Sequence, residues 1–195
     1  MRKRTSGFTL LELLTVLSII GLMVLVAVPA FATLRRKALL RAASIELRSI
    51  FHLARMRAIA RSTNCGLKFI LLGGEWHFAI YDDADGDGVR NDDIAEGIDK
   101  LVKPPRVVFP TSPVVRIGLL EKTIRDPDGD RLIAGTSPVR FNRSAICSFS
   151  PLGESTPGTI YLTDRGQDLY AVRVYGATAK IRVLRYDHGT GRWTK

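Results

Sequence analysis

LLTVLSIIGLMVLVAVPAFATL, residues 13–34, is a run of 22 residues without a charged side chain. As an α-helix with a rise of 1.5 Å per residue, the run would measure about 33 Å, and the hydrocarbon core of a bilayer is about 30 Å thick. Three basic residues precede it at 2–4 and three follow it at 35–37, so the positive charges do not orient it. The run predicts a helix that spans a membrane, with an orientation set by other signals.

A candidate cleavage site lies before this apolar run. An ordinary secretory signal carries its small-residue cleavage site after the apolar region. Here the small residues Ser6 and Gly7 come before that region and are followed by Phe8. Cleavage after Gly7 would remove a short basic leader, residues 1–7, and leave the hydrophobic helix on the mature protein.

The octapeptide GFTLLELL, residues 7–14, resembles the cleavage and methylation signature of type IV pilins and type II secretion pseudopilins. The resemblance implies that a membrane prepilin peptidase cuts between Gly7 and Phe8 on the cytoplasmic side. It also implies that the same enzyme methylates the new amino group of Phe8. Glu12 is then the fifth residue of the mature chain.

Two residues of the apolar helix predict a role in assembly. Glu12 lies at the start of the helix, where a carboxylate is costly in lipid unless it is paired. Its expected partner is the cationic amino group of Phe8 in a neighbouring subunit, and this pair would set the register of packed helices. The alternative is that the helix is a simple signal anchor and that the carboxylate lies at the level of the lipid headgroups. Pro29 removes a backbone hydrogen bond and is expected to kink or loosen the helix.

Past residue 34 the pattern remains helical, and one helix is predicted from about Thr9 to about Ser62. Apolar residues recur at spacings of three and four and form a stripe that is expected to pack on a sheet. The stripe comprises Leu40, Ala43, Leu47, Ile50, Phe51, Ala54 and Ala58. Beside it lies a basic face of Lys37, Arg41, Arg48 and Arg55. Such a face is most often simply solvated; contact with headgroups, a neighbouring subunit or nucleic acid is the alternative.

The rest of the chain has strand patterns. Residues 67–72 and 75–81 flank Gly73-Gly74 and predict a β-hairpin. Further strands are predicted at residues 106–109, 139–141, 159–162, 169–175 and 179–186. At 195 residues the chain has room for one globular head. The expected fold is therefore α+β: a long N-terminal helix, its first half transmembrane, packed on a small antiparallel β-sheet head.

The C-terminal half resembles the GspH/FimT branch of the pseudopilins. The matching features are Phe141 followed by Gly153, the strand GTIYL at 158–162, the alternating VRV at 172–174 and TGR at 190–192. This resemblance implies two small antiparallel sheets packed against the long helix. The predicted division of the chain is a cleaved leader (1–7), a transmembrane and assembly half-helix (8–34), an amphipathic basic half-helix (35–62) and a β-rich periplasmic head (63–195).

An acidic loop after the predicted hairpin has the spacing of a calcium site. Its aspartates fit positions 1, 3 and 5 of a calcium-binding loop, with Gly88 at position 6, where alternate side chains converge on one cation. Position 12 is Ile94 instead of an acid, and Asp93 comes one residue early. The loop predicts a structural calcium ion, and the alternative is a solvated acidic turn. No other cofactor is expected to be required. The predicted ligands are Asp83, Asp85, Asp87, Asn91 and Asp93.

A second acidic alternation, at Asp126, Asp128 and Asp130, lacks the glycine at the sixth position and predicts a plain turn. Neither Cys65 nor Cys147 neighbours a histidine in a nucleophile motif, and no phosphate-binding loop or dinucleotide fingerprint is present. The chain is therefore not expected to be an enzyme. In an oxidising periplasm the two cysteines would form a disulfide; otherwise they are two buried thiols.

The net charge of +10 suits an anionic partner such as nucleic acid or phospholipid headgroups. Near the C-terminus, basic residues alternate with Tyr175, Tyr186 and Trp193, which is the composition of a contact with single-stranded or non-specific DNA. In FimT-type minor pilins a basic Gly-Arg tail is associated with DNA capture, and GRWTK at 191–195 is similar to it. The alternative is a solvated basic hairpin and tail. The residues predicted to bind DNA are Arg185, Arg192 and Lys195.

These observations lead to one hypothesis and one alternative. The hypothesis is a minor pseudopilin of a type II secretion system, processed by prepilin peptidase, anchored in inner-membrane lipid and assembled with other minor and major pseudopilins near the tip of a periplasmic pseudopilus. Such a protein acts by packing and not by turnover. The alternative is a FimT-like minor type IV pilin that binds DNA for natural transformation.

Overall fold

The fold is described from a computed structural model, which covers residues 9–110, 112, 114–132, 135–164 and 168–194, with the backbone alone at 131 and 132. One long helix, α1 (Leu10–Arg61), is followed by a β-rich region with a short helix, α2 (Asn91–Glu96). The strands are β1 (Cys65–Leu72), β2 (Glu75–Asp82), β3 (Lys100–Val107), β4 (Arg116–Ile117), β5 (Ile124–Arg125), β6 (Arg131–Leu132), β7 (Val139–Arg140), β8 (Ile146–Phe149), β9 (Gly158–Thr163), β10 (Leu169–Tyr175), β11 (Lys180–Asp187) and β12 (Arg192–Thr194).

The single long helix predicted from the sequence is confirmed. It starts and ends within one residue of the predicted limits, and its helical assignment continues through Pro29. The chain divides into two compact units at residue 38, one of residues 1–38 and one of Leu39–Lys195. The second half of α1 therefore belongs to the same unit as the strands.

The strands form two main antiparallel sheets. The first has the order β3-β2-β1-β8, and the second has the order β12-β11-β10-β9-β4, with β7 also paired to β9. Strands β5 and β6 form a separate hairpin. The predicted β1–β2 hairpin is confirmed, with Leu72 opposite Glu75. Its two-residue turn consists of Gly73 and Gly74, both at positive φ, which is the geometry that joins twisted strands most easily.

The apolar stripe of α1 is the centre of the core, as predicted. Six of its seven residues are at most 5% exposed, and Ile50 is half-buried. The Phe51 ring lies 5.8 Å from Phe69, 5.7 Å from Phe141 and 6.4 Å from Phe149, measured between centroids. Residues of both main sheets belong to the same buried cluster as the stripe. The observed fold is therefore the expected α+β arrangement, with a long helix packed on antiparallel sheets.

The strands of the middle region differ from the prediction. The strand predicted at 106–109 begins at Lys100 and ends at Val107, because Pro104 and Pro105 concealed its first part. Proline cannot donate a ladder hydrogen bond, and β3 accommodates both residues because it is an edge strand paired only with β2. The short strands β4, β5, β6 and β8 were not predicted. Strands of two to four residues have too little alternation to be recognised in sequence.

Candidate functional site

The apolar half of α1 exposes its side chains on every side. All large hydrophobic residues from Leu10 to Leu34 are between 45% and 81% exposed. The helix contains a segment long and apolar enough to cross a membrane. Water-soluble monomers rarely expose a contiguous apolar patch of more than a few hundred Å². This half of the helix therefore requires lipid or the apolar helices of neighbouring subunits.

Glu12 lies in the first turn of this exposed helix. The Thr9 hydroxyl accepts a hydrogen bond from the Glu12 backbone N–H at 3.3 Å, and the Thr15 hydroxyl donates to the Glu12 carbonyl at 2.8 Å. Within the described residues, nothing pairs with the Glu12 carboxylate. The predicted cleavage residues Gly7 and Phe8 lie outside the described part of the chain. The Glu12 side chain is thus available to a partner from another molecule.

The predicted calcium loop brings three carboxylates together. Ligand oxygens of Asp83, Asp85 and Asp87 all lie within 4.8 Å of one another. Asp83 is 5% exposed and accepts backbone hydrogen bonds from Gly86 at 2.8 Å and Gly88 at 2.9 Å. Burial would raise the pKa of Asp83, but these bonds and one from an asparagine side chain lower it below its ordinary value. The loop is therefore an ordered cluster of acids.

The other two predicted ligands have different surroundings. Asn91 is the first residue of α2, and its side-chain amide donates to the Ser144 carbonyl at 3.4 Å. Asp93 has one carboxylate oxygen that is buried and has no hydrogen-bond partner in the described structure. Asp99, which the sequence did not single out, is 4% exposed and also has one such oxygen. Burial raises the pKa of Asp99, the hydrogen bond from the Arg90 backbone N–H lowers it, and the charges of Asp83, Asp93 and Asp85 raise it further. Because Asp82 pairs with Lys100 across β2 and β3, Asp99 lies beside Asp83 at the end of these strands.

The second acidic alternation forms the turn that was predicted. The Asp126 carboxylate accepts backbone hydrogen bonds from Asp128 at 2.8 Å and Asp130 at 2.9 Å. Arg140 and Arg173 form ion pairs with Asp126 and Asp128, respectively. The two ion pairs join the turn between β5 and β6 to β7 and to β10.

Part of the predicted basic face lies beside one predicted DNA-binding residue. Arg41 and Arg48 of α1 line a groove of about 440 Å³ together with Arg185 of β11. Arg185 also forms an ion pair with Asp168, with 3.5 Å between nitrogen and oxygen. Arg55, further along α1, donates to the Ala179 carbonyl at 3.3 Å. The groove thus combines three guanidinium groups from two elements that are distant in sequence.

The three aromatic residues predicted to stack on bases are half-exposed and contact other groups of the protein. Trp193 lies 5.9 Å from Tyr161 and 5.2 Å from Tyr186 between ring centroids, and its indole N–H donates to the Arg125 carbonyl at 2.8 Å. The Tyr175 ring has two arginine side chains within 5.5 Å of its centroid. Arg192 is exposed, and Lys195 lies outside the described residues. The predicted Gly-Arg tail includes strand β12, which pairs with β11 through its backbone and is held by Trp193.

The two cysteines are free and buried. Cys147 lies directly opposite Leu67 in the pairing of β1 with β8, so Cys65 is its diagonal neighbour. Diagonal neighbours across a sheet have Cα atoms about 7–8 Å apart, whereas a disulfide usually needs 4.4–6.8 Å. Of the two alternatives left by the sequence, the structure has the buried thiols.

The fold and these features define a class: a membrane-anchored, type IV pilin-like protein with a β-rich head. Comparison with protein families supports this class, because residues 2–28 match the prokaryotic N-terminal methylation motif. Residues 43–178, more than half of the chain, match the family described as type II transport protein GspH. The chain therefore belongs to the GspH family of type IV pilin-like proteins, which are structural proteins rather than enzymes. Comparisons with curated proteins and with solved structures gave no match.

Proposed function

We propose that this protein is a minor pseudopilin of a type II secretion system, assembled near the tip of a periplasmic pseudopilus. The observation that carries the proposal is an apolar half-helix, exposed on all sides, that overlaps a methylation motif and precedes a GspH domain. Membership of the family implies processing by a prepilin peptidase and assembly with other pilins or pseudopilins. In this proposal the exposed half-helix first lies in the inner membrane and then packs against the helices of neighbouring subunits.

Processing is tested by coexpression with a prepilin peptidase and mass spectrometry of the membrane fraction. The expected product lacks residues 1–7, begins at Phe8 and carries one added methyl group. A Gly7→Val variant is the matched control, because a β-branched side chain at the scissile bond should block cleavage and leave the full-length mass. Wild-type protein that stays uncut beside an active peptidase would contradict the proposal.

The role in secretion is tested by deleting the gene in its own host. We expect type II secretion substrates to accumulate in the periplasm while natural transformation is unchanged. Expression of the wild-type protein should restore secretion, and expression of the Gly7→Val variant should not. Unchanged secretion with reduced transformation would instead favour the second candidate function.

The second candidate is a FimT-like minor type IV pilin that binds DNA for natural transformation. The specific observation in its favour is the basic groove formed by Arg41, Arg48 and Arg185. Because Trp193 and Tyr186 contact each other edge to face, such binding would use phosphate contacts more than base stacking. Its affinity would therefore be strongly salt-dependent and largely independent of DNA sequence.

DNA binding is tested with the full-length protein in neutral detergent at two or more salt concentrations. The double variant Arg41→Ala, Arg48→Ala tests the groove. If the groove binds phosphates, the plot of log affinity against log salt should become less steep by about 1.8, at about 0.9 per lost contact. Arg192→Ala with Lys195→Ala tests the C-terminal residues in the same way. Arg143→Ala is the control, because Arg143 is exposed on a different loop. Equal effects of all variants would indicate attraction by net charge alone.

A further inference from the structure

The connection between β2 and β3 contains carboxylate oxygens that no protein group satisfies. Asp83 follows the last residue of β2, and Asp99 precedes the first residue of β3. One oxygen of Asp99 accepts the Arg90 backbone N–H at 3.0 Å, and the other is buried with no partner in the described structure. Asp93 also has one buried carboxylate oxygen with no partner in the described structure. A buried carboxylate oxygen without a hydrogen bond is costly, so these two atoms are suited to bind a cation.

The spacing of the three loop carboxylates fits such a cation. Oxygen ligands lie 2.3–2.6 Å from calcium, so two ligands on opposite sides of the ion are separated by about 5 Å at most. The oxygens of Asp83, Asp85 and Asp87 lie within 4.8 Å of one another, inside that limit. Of the five aspartates at this connection, only Asp87 has an ion-pair partner in the described structure, which is Arg90 at 2.5 Å. The other four negative charges have no such partner.

The loop is held in position by contacts that do not use a metal. The Asn64 side chain donates to the Asp83 carboxylate at 2.6 Å, which fixes the first acid to the start of β1. Val89 is 7% exposed and packs over Gly66, where an added Cβ would lie 2.6 Å from the Val89 Cβ. The acids are therefore arranged before any ion binds, and this lowers the entropic cost of binding.

The structure also explains how the site closes without an acid at the twelfth position. The residue at that position, Ile94, packs against the small apolar cluster that includes Val89. After α2 the chain reverses at Gly97, which has φ of 77°, and the backbone N–H groups of Ile98 and Asp99 donate to the Asp93 carbonyl at 2.8 and 3.2 Å. This reversal brings Asp99 back beside Asp93, and the pairing of Asp82 with Lys100 sets it beside Asp83. Asp99 is therefore placed to supply a closing carboxylate.

We infer that one calcium ion is bound at this connection by the carboxylates of Asp83, Asp85 and Asp87, which form the 4.8 Å cluster, and that the unpartnered oxygens of Asp93 and Asp99 turn onto the ion as it binds. Calcium fits because it accepts six to eight oxygen ligands in flexible geometry, whereas magnesium requires a near-ideal octahedron and retains several waters. Asn91, which the loop spacing places among the ligands, is not needed in this set. The ion would tie the end of β2 to the start of β3 and so stabilise the edge of the four-stranded sheet.

The test is a calcium titration of the full-length protein in neutral detergent, after treatment with a chelator. Calorimetry should give one binding event per chain, and the thermal midpoint should rise by about 5 °C or more at calcium concentrations about 100-fold above Kd. Magnesium at the same concentration should give a much smaller shift. No heat and no thermal shift would overturn the proposal, and an equal magnesium response would overturn the assignment to calcium.

Variants distinguish metal binding from a structural role of Asp99. Asp99→Asn should abolish the calcium-induced shift while leaving the chelator-treated protein as stable as the wild type or more stable, because it removes a buried charge. Asp85→Asn, at an exposed loop position, should reduce calcium affinity at least tenfold without affecting folding. Asp92→Asn makes the same charge change at an exposed residue of α2 and should behave as the wild type. A full calcium response in Asp99→Asn, or a response lost equally in Asp92→Asn, would overturn the proposed ligand set.

Discussion

Glu12 is the acidic residue in the first turn of α1, within a half-helix that exposes its apolar side chains throughout. A carboxylate in that setting is stable only at the membrane interface or beside a cation. No described residue of the chain supplies such a cation. We propose that the cationic amino group of Phe8 in a neighbouring subunit, freed when the leader is removed, is the partner.

Glu12→Ala is expected to leave prepilin cleavage intact and to reduce incorporation into filaments by about tenfold, which corresponds to about 1.4 kcal/mol. The reason is the loss of the charge pair that sets the register of packed helices. Incorporation is measured by quantitative blotting of sheared or affinity-purified filaments. Thr15→Ala, one turn along the same exposed face, is the control. Wild-type incorporation of Glu12→Ala would refute the register argument.

The burial of Cys65 and Cys147 determines how reactive their thiols are. Burial raises the pKa of Cys65 to about 12, with a further contribution from Asp82. Burial also raises the pKa of the fully enclosed Cys147. Because the thiolate is the reactive form, both side chains should be nearly inert at neutral pH.

We expect alkylation of both cysteines in the folded protein at pH 8 to be at least about 100-fold slower than in denaturant, because burial keeps the thiols both protonated and inaccessible. Mass spectrometry after timed quenching gives the rates. The denatured, unreduced protein should take up two labels per chain. Labels that appear only after reduction would instead show that Cys65 and Cys147 form a disulfide.

At the scale of elements, the second half of α1 organises the head. Its apolar stripe lies in one buried cluster with residues of both main sheets, and Phe51 contacts rings from three separate segments. Gly158 permits this packing at the start of β9, because an added Cβ would overlap the Phe141 ring and the Arg140 carbonyl. The helix thus stabilises the sheets through a few large side chains.

Phe51→Ala should destabilise the protein by about 3–5 kcal/mol, because it leaves a cavity among three aromatic rings. Leu53→Ala is the matched control on the same helix, since Leu53 is 46% exposed, and it should cost under about 1 kcal/mol. Denaturant unfolding followed by tryptophan fluorescence measures both values. Equal destabilisation by the two variants would contradict the position of Phe51 at the centre of the core.

At the scale of the whole molecule, the chain consists of two units with different solvent requirements. The unit of residues 1–38 includes the exposed apolar helix, whereas Leu39–Lys195 contains the buried clusters. A unit with its own core should not depend on the membrane segment to fold.

Residues 35–195, expressed alone, should therefore be monomeric in buffer without detergent and should unfold cooperatively. The full-length chain should need detergent or lipid, because its apolar half-helix has no partner in the monomer. Size-exclusion chromatography and thermal unfolding followed by circular dichroism test both expectations. Aggregation of residues 35–195 without detergent would show that the head needs the first half of the helix.

Sequence alone determined the features that depend on local pattern. The uncharged run at 13–34, the apolar spacing from Leu40 to Ala58 and the glycines of the first hairpin predicted elements that the structure contains. Helix period and turn chemistry involve residues within a few positions of one another, so they can be recognised in one sequence. The same was true of the first three acids of the loop.

Tertiary structure alone decided which distant residues meet. It placed Asp99 beside Asp83 of the acidic loop, Arg185 in a groove with Arg41 and Arg48, and Trp193 against Tyr161. Each of these contacts depends on strand register and on the direction of a chain reversal. A shift of one residue in register turns every side chain of a strand to the opposite face, and the amino-acid pattern of short strands specifies register poorly.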